Sequence, residues 1–293
     1  MENERFYRIG GLNFRFSGWM PEVEEGDYLP LFQTQCNKPD AEIRVCIRQT
    51  IDFPAELVPE WEQPYIRSCR IGNEIHRYYR KNRVFTGADY AHLYFNAETP
   101  QLRTLELCDR GFALNEKQIL ATIGSEELFL HFGRSVLHSS CVDIGGEALL
   151  FSGVSGIGKS TQARLWEEYA GASVKNGDRN LLRSIDGRET VCGLPYAGTS
   201  GICSNFELPI RAVIFLGQAK ENTICRLSQK EAAKLLLSQS PVPRWDAQSI
   251  GCAMDAAMRI AAGIPVYFMN CLPDASAVAL LKKTLAEDTL HGN

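Results

Sequence analysis

One short run of this chain has the residue types and spacing of a phosphate cradle. Gly153-Val154-Ser155-Gly156-Ile157-Gly158-Lys159-Ser160-Thr161 fits the pattern G-x-x-x-x-G-K-[ST] (Walker A) at every defined position. Glycines let a backbone curl until successive N–H groups point inward at phosphate oxygens. A lysine at the end of the curl neutralises charge on the β and γ phosphates, and the hydroxyl after it ligates Mg2+. A helix opening there adds the positive end of its dipole beneath the phosphates. The expected ligands are ATP, held by Gly153 to Thr161 with Lys159 as the catalytic cation, and Mg2+, held by Ser160.

Such a metal wants a carboxylate near the hydroxyl. The usual source is an aspartate closing a continuous apolar strand, and the run Ala212-Val-Ile-Phe-Leu-Gly217 closes without one. Ala172-Ser-Val-Lys-Asn-Gly-Asp178 instead reads as a short strand ending in an acid soon after the helix. Asp178 is the candidate metal ligand or base, against the plainer alternative of an exposed aspartate in a turn.

The cradle needs a strand before it and a helix after it. Ala148-Leu-Leu-Phe151 supplies the strand, and Ala163, Trp166 and Ala170 fall at i, i+3 and i+7 on one face of the helix. Upstream, Cys141-Val-Asp-Ile and Glu147-Ala-Leu-Leu-Phe flank Gly145-Gly146, which suits a hairpin turn. Residues 117–137 read as helical, with a break at Gly124-Ser125. Later strands are expected from Ala212 to Leu216 and from Ile264 to Met269. Ser228-x-x-Glu231 makes a capping box, Asp246 caps a run to Ala262 stopped by Gly263, and Asp274 caps a last helix. Before about Asp109 the pattern is β: Tyr7 to Phe16 alternates around Gly10-Gly11, as do Ala41 to Ile47 and Glu74 to Arg80. The expected fold class is α/β, a phosphate-loop-containing mixed β-sheet core flanked by helices (113–293), after a β-rich N-terminal accessory region (1–112).

Composition excludes other classes. The 293 residues are 45% hydrophobic and 23% charged, an ordinary globular balance with ample material for a core. Thirty-one basic residues face 35 acidic ones for a net charge of −4, with no basic stripe, which speaks against a nucleic-acid partner. No apolar run approaches the roughly eighteen residues that span a bilayer, so no membrane partner is expected. The acidic start Met1-Glu-Asn-Glu-Arg is not a secretory signal, which points to the cytoplasm. Ten scattered cysteines form no C-x-x-C pair and read as small buried hydrophobes in a reducing compartment.

From His138 to Arg179 the chain resembles the HPr kinase/phosphorylase family, relatives of the phosphoenolpyruvate carboxykinase-type phosphate-loop proteins. His138-Ser-Ser-Cys-Val-Asp-Ile-Gly-Gly-Glu-Ala-Leu-Leu-Phe-Ser-Gly153 is similar to the family's His-x-x-x-Val-Asp hairpin strand, and Ser155-Gly156 matches the interior of its loop. The family then carries consecutive aspartates; here the pair reads Gly177-Asp178. The resemblance implies that Lys159 and Ser160 hold phosphates and Mg2+, and that Asp178 fills the second acidic slot. The first slot, whose aspartate is the family's general base, is Gly177. Asp178 then serves both roles, or His138 takes the proton, or ATP binds without efficient transfer. His138 is equally read as a packed, hydrogen-bonded residue at a helix-to-strand junction. Leu194 to Gly201 is a small-residue turn that either meets a phosphate or is a plain loop. Arg244 either faces the transferred phosphate or packs on Trp245.

Two functions follow. The first is an ATP-dependent kinase that transfers the γ-phosphate to a serine-type hydroxyl of a protein, peptide or small molecule. The second is a nucleotide-binding regulatory or accessory protein with little or no transfer, which the glycine at 177 favours. Carboxykinase chemistry would bring further metal-binding His and Lys residues, and none is evident. A homo-oligomer stays open.

Overall fold

Strict alternation of side chains builds the first sheet. The computed structural model describes residues 4–20, 27–80, 89–108 and 116–291, and the chain divides into two compact units, Met1–Leu128 and Phe129–Asn293. The expected boundary at 112/113 lies outside the described residues. In the first unit, β1 (Glu4–Ile9), β2 (Leu12–Gly18), β3 (Ala41–Arg48), β4 (Trp61–Gln63), β5 (Ile66–Ile71), β6 (Glu74–Arg80), β7 (Asp89–Asn96) and β8 (Leu102–Cys108) form one sheet. Its order is β1-β2-β3-β8-β7-β6-β5-β4. The pairs β2–β3 and β3–β8 are parallel and the others antiparallel. Along β7, Ala91, Leu93 and Phe95 are buried while Tyr90, His92 and Tyr94 on the other face are half-buried, the period of two expected of a strand.

Two short helices follow, α1 (Glu116–Thr122) and α2 (Ser125–His131). The break falls at Gly124, as the sequence predicts, but the helical reading of 117–137 runs too far. Gly133 adopts φ +72°, and from Ser135 the chain is a strand. The carbonyls of Ile123 and Gly124 accept from the buried Arg103 guanidinium. Arg77 meets Glu127 in a two-pronged pair at 2.7 Å for each contact. Helix ends leave carbonyls without intrahelical partners, and Arg103 satisfies them here from the sheet side.

The second unit holds β9 (Ser135–Asp143), β10 (Ala148–Ser152), α3 (Lys159–Ala170), β11 (Ser173–Asn176), β12 (Arg179–Ile185), β13 (Arg188–Gly193), β14 (Glu207–Gln218), β15 (Thr223–Arg226), α4 (Gln229–Ser238), α5 (Ala247–Gly263), β16 (Val266–Cys271) and α6 (Ala275–His291). The sheet runs β10-β9-β12-β13-β14-β16-β15, and β10 also pairs with β14, so five strands close into a ring. Two long strands make that closure possible by changing neighbours along their length. Residues 135–138 of β9 pair with β12, whereas Ser139 onward pair with β10 and then also with β11.

Helices cover both faces of the sheet. Leu149 and Phe151 of β10 point into a core with Ala163, Leu165 and Trp166 of α3 and Val278 and Leu281 of α6. Ala148 and Leu150 point the other way, towards Ala232 and Leu236 of α4 and Ala257 and Ile260 of α5. The strand is therefore apolar on both faces, the pattern of a strand with helices on each side. The helix starts follow the expected caps. Ser228 and Glu231 form the full capping box of α4, Asp246 accepts from Ser249 N at 2.9 Å, and Asp274 accepts from Ser276 N at 2.9 Å. The described residues, which include all ten cysteines, contain no disulfide. Their burial is less uniform than expected: Cys69, Cys108, Cys141 and Cys192 are buried, Cys225 is exposed and the rest lie between.

Candidate functional site

Residues 153–158 link the end of β10 to the start of α3. Ser152, the last residue of β10, is fully buried and donates through Oγ to His138 O at 2.8 Å, which fastens the loop's root to β9. Gly156 and Gly158 adopt φ values of +80° and +115° with nothing within 4 Å of an added Cβ. Their need for glycine is conformational, and the space beside them is open. Gly158 is the N-cap of α3 and supplies no side-chain acceptor, so the first-turn N–H groups of α3 are left for something else to meet. Val154, Ser155 and Gly156 are exposed along the loop, Ile157 is half-buried, and Thr161 points to solvent from the first turn of α3.

Lys159 is 7% exposed, and its Nζ donates to Gly153 O at 2.9 Å and Val154 O at 3.2 Å. The ammonium thus sits inside the curl of its own loop. Burial lowers its pKa, and the negative charge of Asp178 works against that lowering. The two groups that the sequence placed in one site therefore feel each other's charge. Gln218, at the end of the neighbouring β14, lies with Nε2 3.5 Å from Gly156 O and 3.4 Å from Ile157 O. This amide stands at the end of the strand whose apolar run closes without an acid.

Asp178 lies in the short link between β11 and β12. Its backbone is tied on both sides, since its N–H donates to Asn176 Oδ1 at 3.0 Å and its carbonyl accepts from Ser139 N at 2.9 Å. Its carboxylate is 3.3 Å from His138 Nε2 and 3.9 Å from Arg179 Nε. The His138 hydrogen bond holds the Asp178 carboxyl below the ordinary carboxylate value; burial opposes this, and the charges of His138, Arg179 and Lys159 add to it. His138 is not at a helix-to-strand junction. It lies within β9, at the last residue paired with β12 before the strand changes neighbours.

Gly177 has a packing reason. A Cβ at this position would run into Ser200 Oγ, with Ser200 Cβ 2.5 Å away. Ser200 is fixed there because its hydroxyl donates to Ala197 O at 2.6 Å and accepts from Ile202 N at 3.2 Å. The turn from Leu194 to Gly201 thus packs onto the acidic link, and an added Cβ at Gly198 would come within 2.7–3.0 Å of the Asp178 side chain. Ser160 and Ser200 line one small cavity with Ser140 and Gly177. Arg244 is exposed.

A separate cleft of about 270 Å3 is lined by His138, Asp178, Arg179 and residues 238–241. Sequence reasoning missed Arg179 and Gln239, and it marked Ser200 only as part of the turn from Leu194 to Gly201. Arg179 stands next to Asp178 in the chain, but its register opposite His138 across β9 and β12 is a long-range pairing with no local signal.

Among the described residues no three His, Cys, Asp or Glu side chains converge as a metal-ion group. Mg2+ keeps several waters and is held by one or two carboxylates plus phosphates rather than by a cage of protein ligands. The Ser160 hydroxyl and the Asp178 carboxylate, which its neighbours hold below the ordinary value, are oxygen donors of the kind such an ion takes. No helix among the described residues is long and apolar enough to cross a membrane.

No family model matches this chain, and no curated protein does. Among solved structures, the HPr(Ser) kinase/phosphatase from Coxiella burnetii is similar over 54% of this chain and 97% of that one, with 13% sequence identity and a TM-score of 0.30. Similarity of that degree carries no argument, and the reading of the site rests on its own geometry.

Proposed function

We propose that the chain is an ATP-dependent kinase that transfers the γ-phosphate to a serine-type hydroxyl. The supporting observation is the placement of Lys159, buried in the loop's curl and within electrostatic reach of the Asp178–His138 pair. In this reading the N–H groups of residues 154–160 and the start of α3 surround the phosphates. Lys159 leaves the Gly153 and Val154 carbonyls for the β and γ oxygens. Bound Mg2+, held by Ser160 and Asp178, would neutralise charge that builds up on the transferred group. The acceptor's oxygen attacks the γ phosphorus as the bond to ADP breaks, and the hydroxyl proton passes to the Asp178–His138 pair. The cytoplasm is the compartment this chemistry suggests, and neither a nucleic acid nor a membrane is required.

A second reading is favoured by one specific observation. Ser200 fills the space beside Gly177, so the slot that holds the general base in the resembled family is closed. On that ground the chain would bind ATP as a conformational ligand and transfer little.

One assay separates the two. Purified protein with Mg-ATP is tested for ADP release with a broad set of hydroxyl acceptors, beside Lys159→Ala and Asp178→Ala. The kinase reading expects acceptor-dependent turnover that falls at least roughly a hundredfold in each variant, the scale of losing one preorganised charge partner. ATP binding without acceptor-dependent turnover selects the regulatory reading. Turnover unchanged by Lys159→Ala would exclude the site altogether.

A further inference from the structure

We propose that the cleft beside His138 and Asp178 is the acceptor site, and that it takes a small molecule carrying both a hydroxyl and a carboxylate. This inference rests on the phosphate-transfer reading above and adds the chemistry of the acceptor. One wall is built by register. His138 and Arg179 are directly opposed across the antiparallel pair β9–β12, so both side chains leave the sheet on the same face. The Arg179 guanidinium carbon lies 5.0 Å from the Tyr196 ring centroid, and its Nε is 3.9 Å from Asp178 Oδ2, which holds a positive charge in that wall. The turn after α4 also lines the cleft. Gln239 O accepts from His138 N at 2.9 Å, and the Ser238 and Ser240 hydroxyls donate back to Leu235 O and Leu236 O. Both stretches of the lining are therefore formed before any ligand arrives.

The contents of the cleft limit what fits. At about 270 Å3 it lies just under the roughly 300–1,000 Å3 of sites for drug-sized ligands, so the ligand is small. The Asp178 carboxylate provides the acceptor a hydroxyl donor needs. A guanidinium presents its donors as a planar fork that matches a carboxylate in two contacts. A hydroxyl turned to Asp178 and a carboxylate turned to Arg179 use both charged groups without leaving either facing its own sign. In the reaction the hydroxyl proton goes to the Asp178–His138 pair, the acceptor oxygen bonds to the γ phosphorus of ATP, and ADP leaves with the electrons of the broken P–O bond. That chemistry is shared by free hydroxy acids, free hydroxy amino acids and a peptide ending in serine.

The test is calorimetry on the full chain loaded with Mg2+ and a non-hydrolysable ATP analogue. L-serine, D-glycerate and a short peptide with a C-terminal serine carboxylate are compared with their amides. The acids are expected to bind at least about tenfold tighter than the amides, the scale of one charge-assisted pair. Arg179→Gln should erase that difference and Arg179→Lys should keep part of it, with thermal unfolding of each variant as the control for folding. The three acids distinguish a free compound from a peptide end. Equal binding of acids and amides, no binding of either, or a preference untouched by Arg179→Gln overturns the acceptor assignment alone. Failure of the analogue itself to bind takes the phosphate-loop reading down with it.

Discussion

Asp178 and Gly177 carry most of what single residues can test. The carboxyl of Asp178 sits below its ordinary value chiefly because His138 donates to it. A carboxyl lowered in the folded state stabilises that state above the ordinary value of 3.8, and the contribution is lost as pH falls through the lower, folded value. Replacing His138 by Ala lets the Asp178 value rise, so the acid limb of the turnover profile should move to higher pH; a pH–rate series on the two proteins checks it. Gly177 offers a second test. Gly177→Asp forces the new side chain into Ser200 and should cost about 1–3 kcal/mol, the usual cost of overpacking. Adding Ser200→Gly should return most of that loss, which thermal unfolding of the single and double variants would show. The glycines, Lys159 and Ser160 were legible in the chain because their spacing is local. The plug of Ser200 against Gly177 was not, because it joins residues on different turns through the fold.

At the scale of elements, caps and breaks decide where helices begin and end. Asp246→Ala removes the acceptor that Ser249 N uses at the start of α5 and should lower stability by about 0.5–2 kcal/mol, read from a denaturant series. These caps were legible because each is a short-range pattern of one residue type before an apolar run. The overrun of the 117–137 helix has the opposite cause: apolar spacing alone does not say which of Val136 and Leu137 will be claimed by a neighbouring strand, and β12 claims both. The Arg77–Glu127–Arg103 clamp was also invisible, since its members come from β6, α2 and β8. Burial would raise the Glu127 carboxyl, but Arg77 first and Arg103 after it carry the value down from 4.5 to about 2. Its contribution is therefore complete above pH 4.5 and is lost as pH falls towards about 2. Glu127→Gln leaves two buried guanidiniums without their counter-charge and should cost about 3–5 kcal/mol at neutral pH, with a flatter acid response than the parent, measurable by unfolding at stepped pH.

On the scale of the whole molecule, the β-rich first part and the helix-flanked second part were legible from periodicity. The strand order was not, because placing β3 between β2 and β8, or closing β10 onto β14, depends on pairings between distant stretches of chain. If Mg-ATP binds as proposed, a concentration of about a hundred times its dissociation constant adds roughly 2.7 kcal/mol to the folded state. Hydrogen exchange should show that gain first in residues 153–158 and the opening turn of α3; unchanged exchange there would count against the loop. One feature of the ring reaches further. At Ser139 the strand β9 leaves β12 for β10, with β11 joining from Cys141, and the His138–Asp178 pair lies at that fork. The segment 238–241 that faces it comes from a different stretch, at the tip of α4. If the cleft takes the acceptor as proposed, a graft of another turn at that tip would change which acceptor binds and leave residues 153–161 as they are.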